Sequence, residues 1–237
     1  MTISPTPQSD LNVIGRPARR SEGPEKTTGR GKYGLDASLP GMVWLKFLRS
    51  PFAHARILSV DTSAARQLPG VHEVLTGRDL KGVLTGGTYK DEPALAWDTV
   101  RFIGDRVAAV AADDEDTAEQ AAALIEIKYE ELPAVVSAAE AAAPGAPVLH
   151  PEYDSYIGVT PRPDASRPNV YAQFIREKGN VQQGFDEADV VLERTYYTQW
   201  SHQTYLEPHT SLLDIDDDGK VQVWVSSQSP LRNREEL

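Results

Sequence analysis

The 237-residue chain reads as an α+β protein in two sections, and three observations predict it. Short apolar strands follow one another through residues 42–48, 55–60, 71–75, 100–103 and 107–111, each too brief for a helix of ordinary length. Between and after them lie stretches rich in Ala, Glu and Gln (117–124 and 136–143), a composition that favours short helices. Residues 151–169 then carry prolines at 151, 161, 163 and 168 without apolar periodicity, the mark of a boundary between sections.

Residues 1–32 are rich in Pro, Ser, Thr, Gly and Arg, and are expected to form an extended arm. The nearly continuous apolar run 42–48 predicts a strand buried on both faces. Pro51 separates it from the strand 55–60, after which Asp61 or Thr62 can cap a short helix ending near Leu68. Pro69-Gly70 turns the chain into the strand 71–75, and the polar, Gly-rich stretch 82–96 reads as a loop. Gly104-Asp105 joins the strands 100–103 and 107–111 through a tight turn. Asp113 to Asp116 place acids where a helix start carries partial positive charge. Residues 125–129 alternate like a half-buried strand, and the helix 136–143 closes at Pro144-Gly145.

Beyond the Pro-rich segment, strands are expected at 170–175 and 190–197, with a short helix at 181–188 between them. Residues 211–215 and 220–226 form a hairpin around Asp216-Asp217-Asp218-Gly219, where glycine supplies positive φ. Ser229 suits an N-cap and Pro230 the first helical position, so a helix is expected to begin there. Helices below roughly 12 residues are marginal in water, which makes this one dependent on packing.

Composition removes several function classes. Without cysteine the chain has no disulfide, no thiolate metal site and no iron–sulfur ligation, so any electron-transfer cluster would sit on a partner. A net charge of −11 disfavours nucleic acid and anionic membrane surfaces as partners. No apolar run approaches the roughly 20 residues of a membrane span. Arg19-Arg20 is followed by polar residues rather than the apolar stretch of an export signal, so a cytoplasmic location is expected.

Few individual residues carry a chemical pattern. His202, Glu207 and His209 have metal-binding side chains, but spacings of five and seven fit no helical metal motif, and Pro208 interrupts them. They read instead as a strand end. His54, between apolar neighbours, reads as a hydrogen-bonded packing residue. His72 and His150 carry no pattern. Ser50, Ser226 and Ser227 lack a nucleophile elbow. The acidic runs 113–116 and 214–218 lack calcium-loop spacing, and read as a helix cap and a solvated hairpin tip.

Several motifs together resemble one family. They are TGRGKYGLD (28–36), LPGM (39–42), RSPFAHARI (49–57), VRFIGDRVAAVAAD (100–113, with Asp105 where Glu is more usual) and IEIKYEELPAVV (125–136). GNVQQGFDEADVVLERTYYTQWSHQTYLEPHTS (179–211) and VWVSSQSP (223–230) follow. The set resembles the large, molybdopterin-binding subunit of the molybdenum hydroxylases: xanthine dehydrogenase, aldehyde oxidase and carbon monoxide dehydrogenase. The resemblance implies an extended arm (1–32), an α/β hammerhead domain (33–150), a Pro-rich linker (151–169) and the truncated start of a molybdopterin-binding domain (170–237).

It further implies a molybdopterin-type molybdenum cofactor, with 2Fe-2S and FAD groups on partner subunits, and hydroxylation of an aldehyde or N-heterocycle carbon by the whole enzyme. In the family the Gln of the SSQSP-type loop donates its side-chain amide to an oxygen on molybdenum. Gln228 stands at that position. The family's glycine-rich GGFGGK loop and its glutamate base would fall after residue 237. No catalytic residue and no metal ligand is therefore expected within this chain, which by itself should be inert. The remainder of the subunit would be its first partner. The alternative reading is a non-catalytic split-subunit or gene-remnant hammerhead module acting only in assembly.

Overall fold

The computed structural model describes residues 17–236, so the first half of the expected arm lies outside the described residues. The chain divides into two units, Gly41–Arg194 and the described residues up to Pro40 together with those from Thr195 onward. The arm is not wholly extended. Residues Gly23–Thr27 form a helical turn, α1. Pro24 presets φ there, and the Thr27 and Thr28 hydroxyls donate to carbonyls one turn back, at 2.9 and 2.6 Å.

Within Gly41–Arg194, the order begins β1 (Trp44–Arg49), β2 (Ala55–Asp61), α2 (Ser63–Arg66), β3 (Val71–Thr76), β4 (Leu84–Thr85), β5 (Glu92–Pro93) and β6 (Thr99–Val100). It continues with β7 (Arg106–Ala112), α3 (Glu115–Ala123), β8 (Glu126–Glu131), α4 (Ala138–Ala141) and α5 (Val181–Asp186). Two three-stranded antiparallel sheets result, ordered β1-β7-β3 and β6-β2-β8. α3 starts where the acids predicted it. The Asp114 carboxylate accepts from the Thr117 amide at 2.8 Å, a bond that holds its pKa below the usual carboxylate range.

α3 presents Ala118, Ala121 and Ala122 to the β1-β7-β3 sheet, and alanines let its backbone come close. Val74, Ala108, Val110 and Ile125 complete that core. A second core gathers Ala55, Ile57, Ala96, Val100 and Val107, with Phe52 packed against it and tilted on the Tyr129 ring at 5.1 Å. The RSPF and GD motifs meet here. The Ser50 amide donates to the Asp105 carbonyl and the Gly104 amide to the Ser50 carbonyl, both at 2.8 Å.

Five expectations need correction. β1 is not buried on both faces: it is a sheet edge, and Val43, Leu45 and Phe47 are exposed while Trp44, Lys46 and Leu48 are half-buried. α3 covers one face only, and Lys46 reaches Glu115 at its start at 2.7 Å. The stretch 82–96 contains the small β4-β5 pair and ends in the buried residues Leu95 and Ala96. The strand 100–103 shrinks to β6, because the Asp105 carboxylate takes the Arg101 amide at 3.1 Å and starts the turn early. No strand forms at 170–175 or 190–197, where Phe174 and Tyr197 are 82% and 92% exposed. β-propensity expresses a fit to a paired, half-buried surface, and neither segment has a neighbouring strand among the described residues.

The other unit contains a 3₁₀ turn, Gly34–Asp36, the hairpin β9 (Ser211–Ile215) and β10 (Val221–Val225), and α6 (Pro230–Glu236). The hairpin register pairs Ile215 with Val221. Its turn forms as expected, with Gly219 at φ 78° and the Asp216 carboxylate accepting from the Lys220 amide at 2.8 Å. No helix among the described residues is long and apolar enough to cross a membrane.

Leu95 tests the corrected loop. Leu95→Ala should lower the unfolding free energy by about 2–5 kcal/mol, because Leu95 is 1% exposed. Leu58→Ala, at a 52% exposed position, should stay within about 0.5 kcal/mol of wild type. Urea titration of the full chain measures both, and equal effects would count against Leu95 as a core residue.

Candidate functional site: the Gln228 turn

β10 runs into residues 226–229, where three serines fix the backbone. The Ser226 amide donates to the Thr210 carbonyl at 3.2 Å, and its hydroxyl accepts from the Thr210 amide at 3.1 Å and donates to the Pro208 carbonyl at 3.0 Å. The Ser227 hydroxyl accepts from the Ser229 amide at 3.0 Å and donates to Asn233 Oδ1 at 3.3 Å. The Ser229 carbonyl accepts from the Asn233 amide at 3.1 Å, so α6 begins at Pro230 as its residues predict.

Gln228 sits at the bend between these anchors. Its side chain is exposed and takes no hydrogen bond among the described residues. The serines are committed to the turn; the amide is not. A primary amide offers two N–H donors and one acceptor without charge, which suits contact with an oxygen-rich cofactor. The residues present fit that contact in this respect. Among the described residues, no group of three or more His, Asp or Glu side chains could hold a metal ion.

His202, Glu207 and His209 have separate engagements. The His202 and His209 rings flank Tyr205 with centroids at 5.1 and 5.0 Å. His202 Nδ1 accepts from the Thr204 amide at 3.0 Å, and Thr204 holds φ at 55°. Glu207 Oε1 faces the Gly34 amide at 3.4 Å. His54 is buried, and its Nδ1 donates to the Pro133 carbonyl at 2.7 Å, a packing role. His72 bonds Asp113 at 2.7 Å.

The sequence reading missed a cluster centred on Arg101. Its guanidinium pairs with Glu152 and donates from Nε to the Leu149 carbonyl at 2.7 Å. The Tyr156 hydroxyl donates to Glu152 at 2.8 Å and lies 3.0 Å from His150 Nδ1. Since that hydroxyl proton is spent on Glu152, His150 is the donor in the second bond and carries its proton on Nδ1. Burial pushes the His150 pKa down, and the Arg101 charge adds to this. Burial also raises the Tyr156 phenol, with the Glu152 bond acting the same way. Burial pushes Glu152 up as well, but its backbone amide, the Tyr156 hydroxyl and Arg101 outweigh it, leaving the carboxyl below its ordinary value.

A cavity of about 480 Å³, lined by Tyr89, Asp91, His150, Tyr153 and Tyr171 among others, adjoins this cluster. The cluster straps residues 149–156 to the strand end at Thr99–Val100. The available signal was the polar and aromatic density of His150, Glu152, Tyr153 and Tyr156, too rich for a mere linker. Nothing local indicated that Arg101 would lie beneath it.

Comparison with known proteins agrees with this architecture. Residues 28–133 match the family description "Aldehyde oxidase and xanthine dehydrogenase, a/b hammerhead domain", and residues 163–237 match "Molybdopterin cofactor-binding domain". These define a hammerhead section followed by the first part of a molybdopterin-binding domain. A probable subunit of xanthine dehydrogenase from Bacillus subtilis is 35% identical over 95% of this chain and 28% of its own length. The nicotinate dehydrogenase large molybdopterin subunit of Eubacterium barkeri is 33% identical over 96% of this chain and 50% of its own. The crystal structure of a Cu,Mo-CO dehydrogenase superposes with a TM-score of 0.80 at 32% identity, covering 93% of this chain and 28% of that one. The chain thus belongs to the molybdenum hydroxylase family, as the N-terminal hammerhead and the start of the cofactor-binding domain of a large subunit. It spans between a quarter and a half of the length of these relatives.

The buried His150 gives a pH test. Below the ordinary histidine value of 6.5, the unfolded chain takes up a proton that the folded chain refuses. Stability should therefore fall as pH drops from 6.5 toward the lower folded value, and this contribution should be constant above 6.5. His150→Asn keeps a donor near Tyr156 and removes the titration, so urea unfolding between about pH 5 and 8 should show a shallower slope. An unchanged slope would show that His150 titrates freely in the folded chain.

Proposed function

We propose that this chain supplies the hammerhead section and one edge of the cofactor pocket in the molybdopterin-binding subunit of an oxidoreductase that hydroxylates an aldehyde or N-heterocycle carbon. The observation carrying this is the Gln228 amide: uncommitted, exposed, and held on a serine-anchored turn within the section that matches a cofactor-binding domain. When bound, the molybdenum cofactor supplies the two-electron oxidation. Gln228 offers it an N–H donor, and the serines keep that donor in place. The remainder of the subunit supplies the other walls and the catalytic base, and iron–sulfur and FAD subunits carry electrons away.

Xanthine and nicotinate, named in two of the relatives above, are N-heterocycles, which supports that half of the substrate class. The carbon monoxide dehydrogenase also superposes on this section, so its fold is shared by enzymes named for different substrates. A second reading, a non-catalytic module that acts only in assembly, is favoured by the many exposed apolar side chains from Tyr171 onward. Adjoining coding sequence that supplies the GGFGGK loop separates the enzyme from the module.

In the assembled enzyme, Gln228→Ala should reduce turnover or molybdenum retention about 10–100-fold, read by steady-state oxidation of aldehydes and N-heterocycles and by metal analysis. Wild-type values for both would remove Gln228 from the cofactor contact. The chain purified alone should retain less than about a tenth of an equivalent of molybdenum and oxidise neither substrate class; turnover by the isolated chain would overturn the proposal.

A further inference from the structure

We infer that Gly34 and Thr210 form a close-contact latch by which the 3₁₀ turn that follows the N-terminal arm holds the Gln228 turn, making Gly34 a positioning residue for the cofactor contact. All of these residues lie in one unit. The inference rests on the reading of Gln228 given above.

Gly34 opens the 3₁₀ turn Gly34–Asp36, which the Asp36 carboxylate pins by accepting from the Tyr33 amide at 2.9 Å. The Gly34 amide faces Glu207 Oε1 at 3.4 Å. That distance is long for a hydrogen bond and contributes little alone. The steric relation is stronger. A Cβ on Gly34 would overlap Thr210 Oγ1 and lie 3.5 Å from Thr210 Cβ. Gly34 is not one of the glycines with positive φ. A side chain there therefore requires the Thr210 hydroxyl to move, whatever the backbone conformation of Gly34.

Thr210 in turn governs the Gln228 turn. Its amide and carbonyl both bond Ser226, at 3.1 and 3.2 Å. Ser226 precedes Ser227, whose hydroxyl closes the bend around Gln228 by accepting from the Ser229 amide at 3.0 Å. The Thr210 hydroxyl is buried without a hydrogen-bond partner among the described residues. It thus serves by shape, filling the space that glycine leaves. A displaced Thr210 carries Ser226 with it, and the bend holding the Gln228 amide shifts as one piece.

Amide hydrogen exchange by NMR on the full chain tests this with three variants. Gly34→Ala should speed exchange at the Thr210 and Ser226 amides about tenfold and shift the Gln228 side-chain amide resonance, leaving β7 amides unchanged. Thr210→Ala removes the side chain that fills the space beside Gly34 and should also speed exchange at the Ser226 amide. In Gly34→Ala/Thr210→Ala the two Cβ atoms meet at an ordinary 3.5 Å, so both readouts should return toward those of wild type.

Wild-type exchange in Gly34→Ala would overturn the latch, as would equal acceleration in β7 or failure of the double variant to recover. The two readings fail separately. If exchange behaves as stated but Gln228→Ala leaves the assembled enzyme's molybdenum and turnover intact, the latch stands and the cofactor contact falls.

Discussion

Every long strand between Trp44 and Glu131 has a hydrogen-bonded neighbour, with β7 between β1 and β3, and β2 between β6 and β8. A strand's amides and carbonyls require partners, and its side chains require a face to cover. The sheets of the Gly41–Arg194 unit meet both conditions from within: α3 lays its alanines on β1 and β7, and the apolar residues of β2, β6 and β7 close on one another. Segments 170–175 and 190–197 have equally strand-like compositions and meet neither condition among the described residues. Neither segment forms a strand, and Phe174, Ile175, Val190, Leu192, Tyr196 and Tyr197 are exposed.

The same test of partnership sorts the polar groups. Ser50, His54 and Asp105 are buried, and each is consumed: Ser50 by the Phe52 amide, His54 by the Pro133 carbonyl and Asp105 by the Arg101 amide. Burial raises the Asp105 pKa while the neighbouring amides and arginines pull it back. A side chain so engaged holds loops together. The Arg101–Glu152–Tyr156–His150 strap follows the same rule. Gln228 has its side-chain hydrogen-bonding capacity intact, and the residues around it have spent theirs keeping it in place.

The elements legible in the sequence were those whose signals are local. The Asp114 cap, the Gly219 turn, the Ser229-Pro230 helix start and the strands 55–60, 71–75 and 107–111 each announce themselves within a few residues, and each forms. Long-range facts were illegible. Whether β1 is central or at an edge depends on how many strands flank it, and the run MVWLKFL is compatible with either. Leu95 reads as part of a polar loop, yet it is buried. Gln228 was reached through the family motif, whereas its freedom from partners and its serine anchoring came only from coordinates. Gly34 was invisible as a positioning residue, since its neighbour Thr210 is far along the chain.

The physical consequence of leaving one amide uncommitted depends on what covers it. In water, Gln228 satisfies its donors and acceptor with solvent at no cost. Under a closing wall it loses that solvent, and an unsatisfied buried amide costs about 1–3 kcal/mol. A wall without an acceptor would therefore be resisted, whereas an oxygen-rich cofactor placed there turns the same desolvation into a directed bond. A carboxylate in this position would repel an anionic cofactor, and an ammonium would cost far more to desolvate. On the proposed reading a neutral amide would discriminate by geometry rather than charge, and that geometry is set by the turn beneath it, from Ser229 back to Thr210 and Gly34.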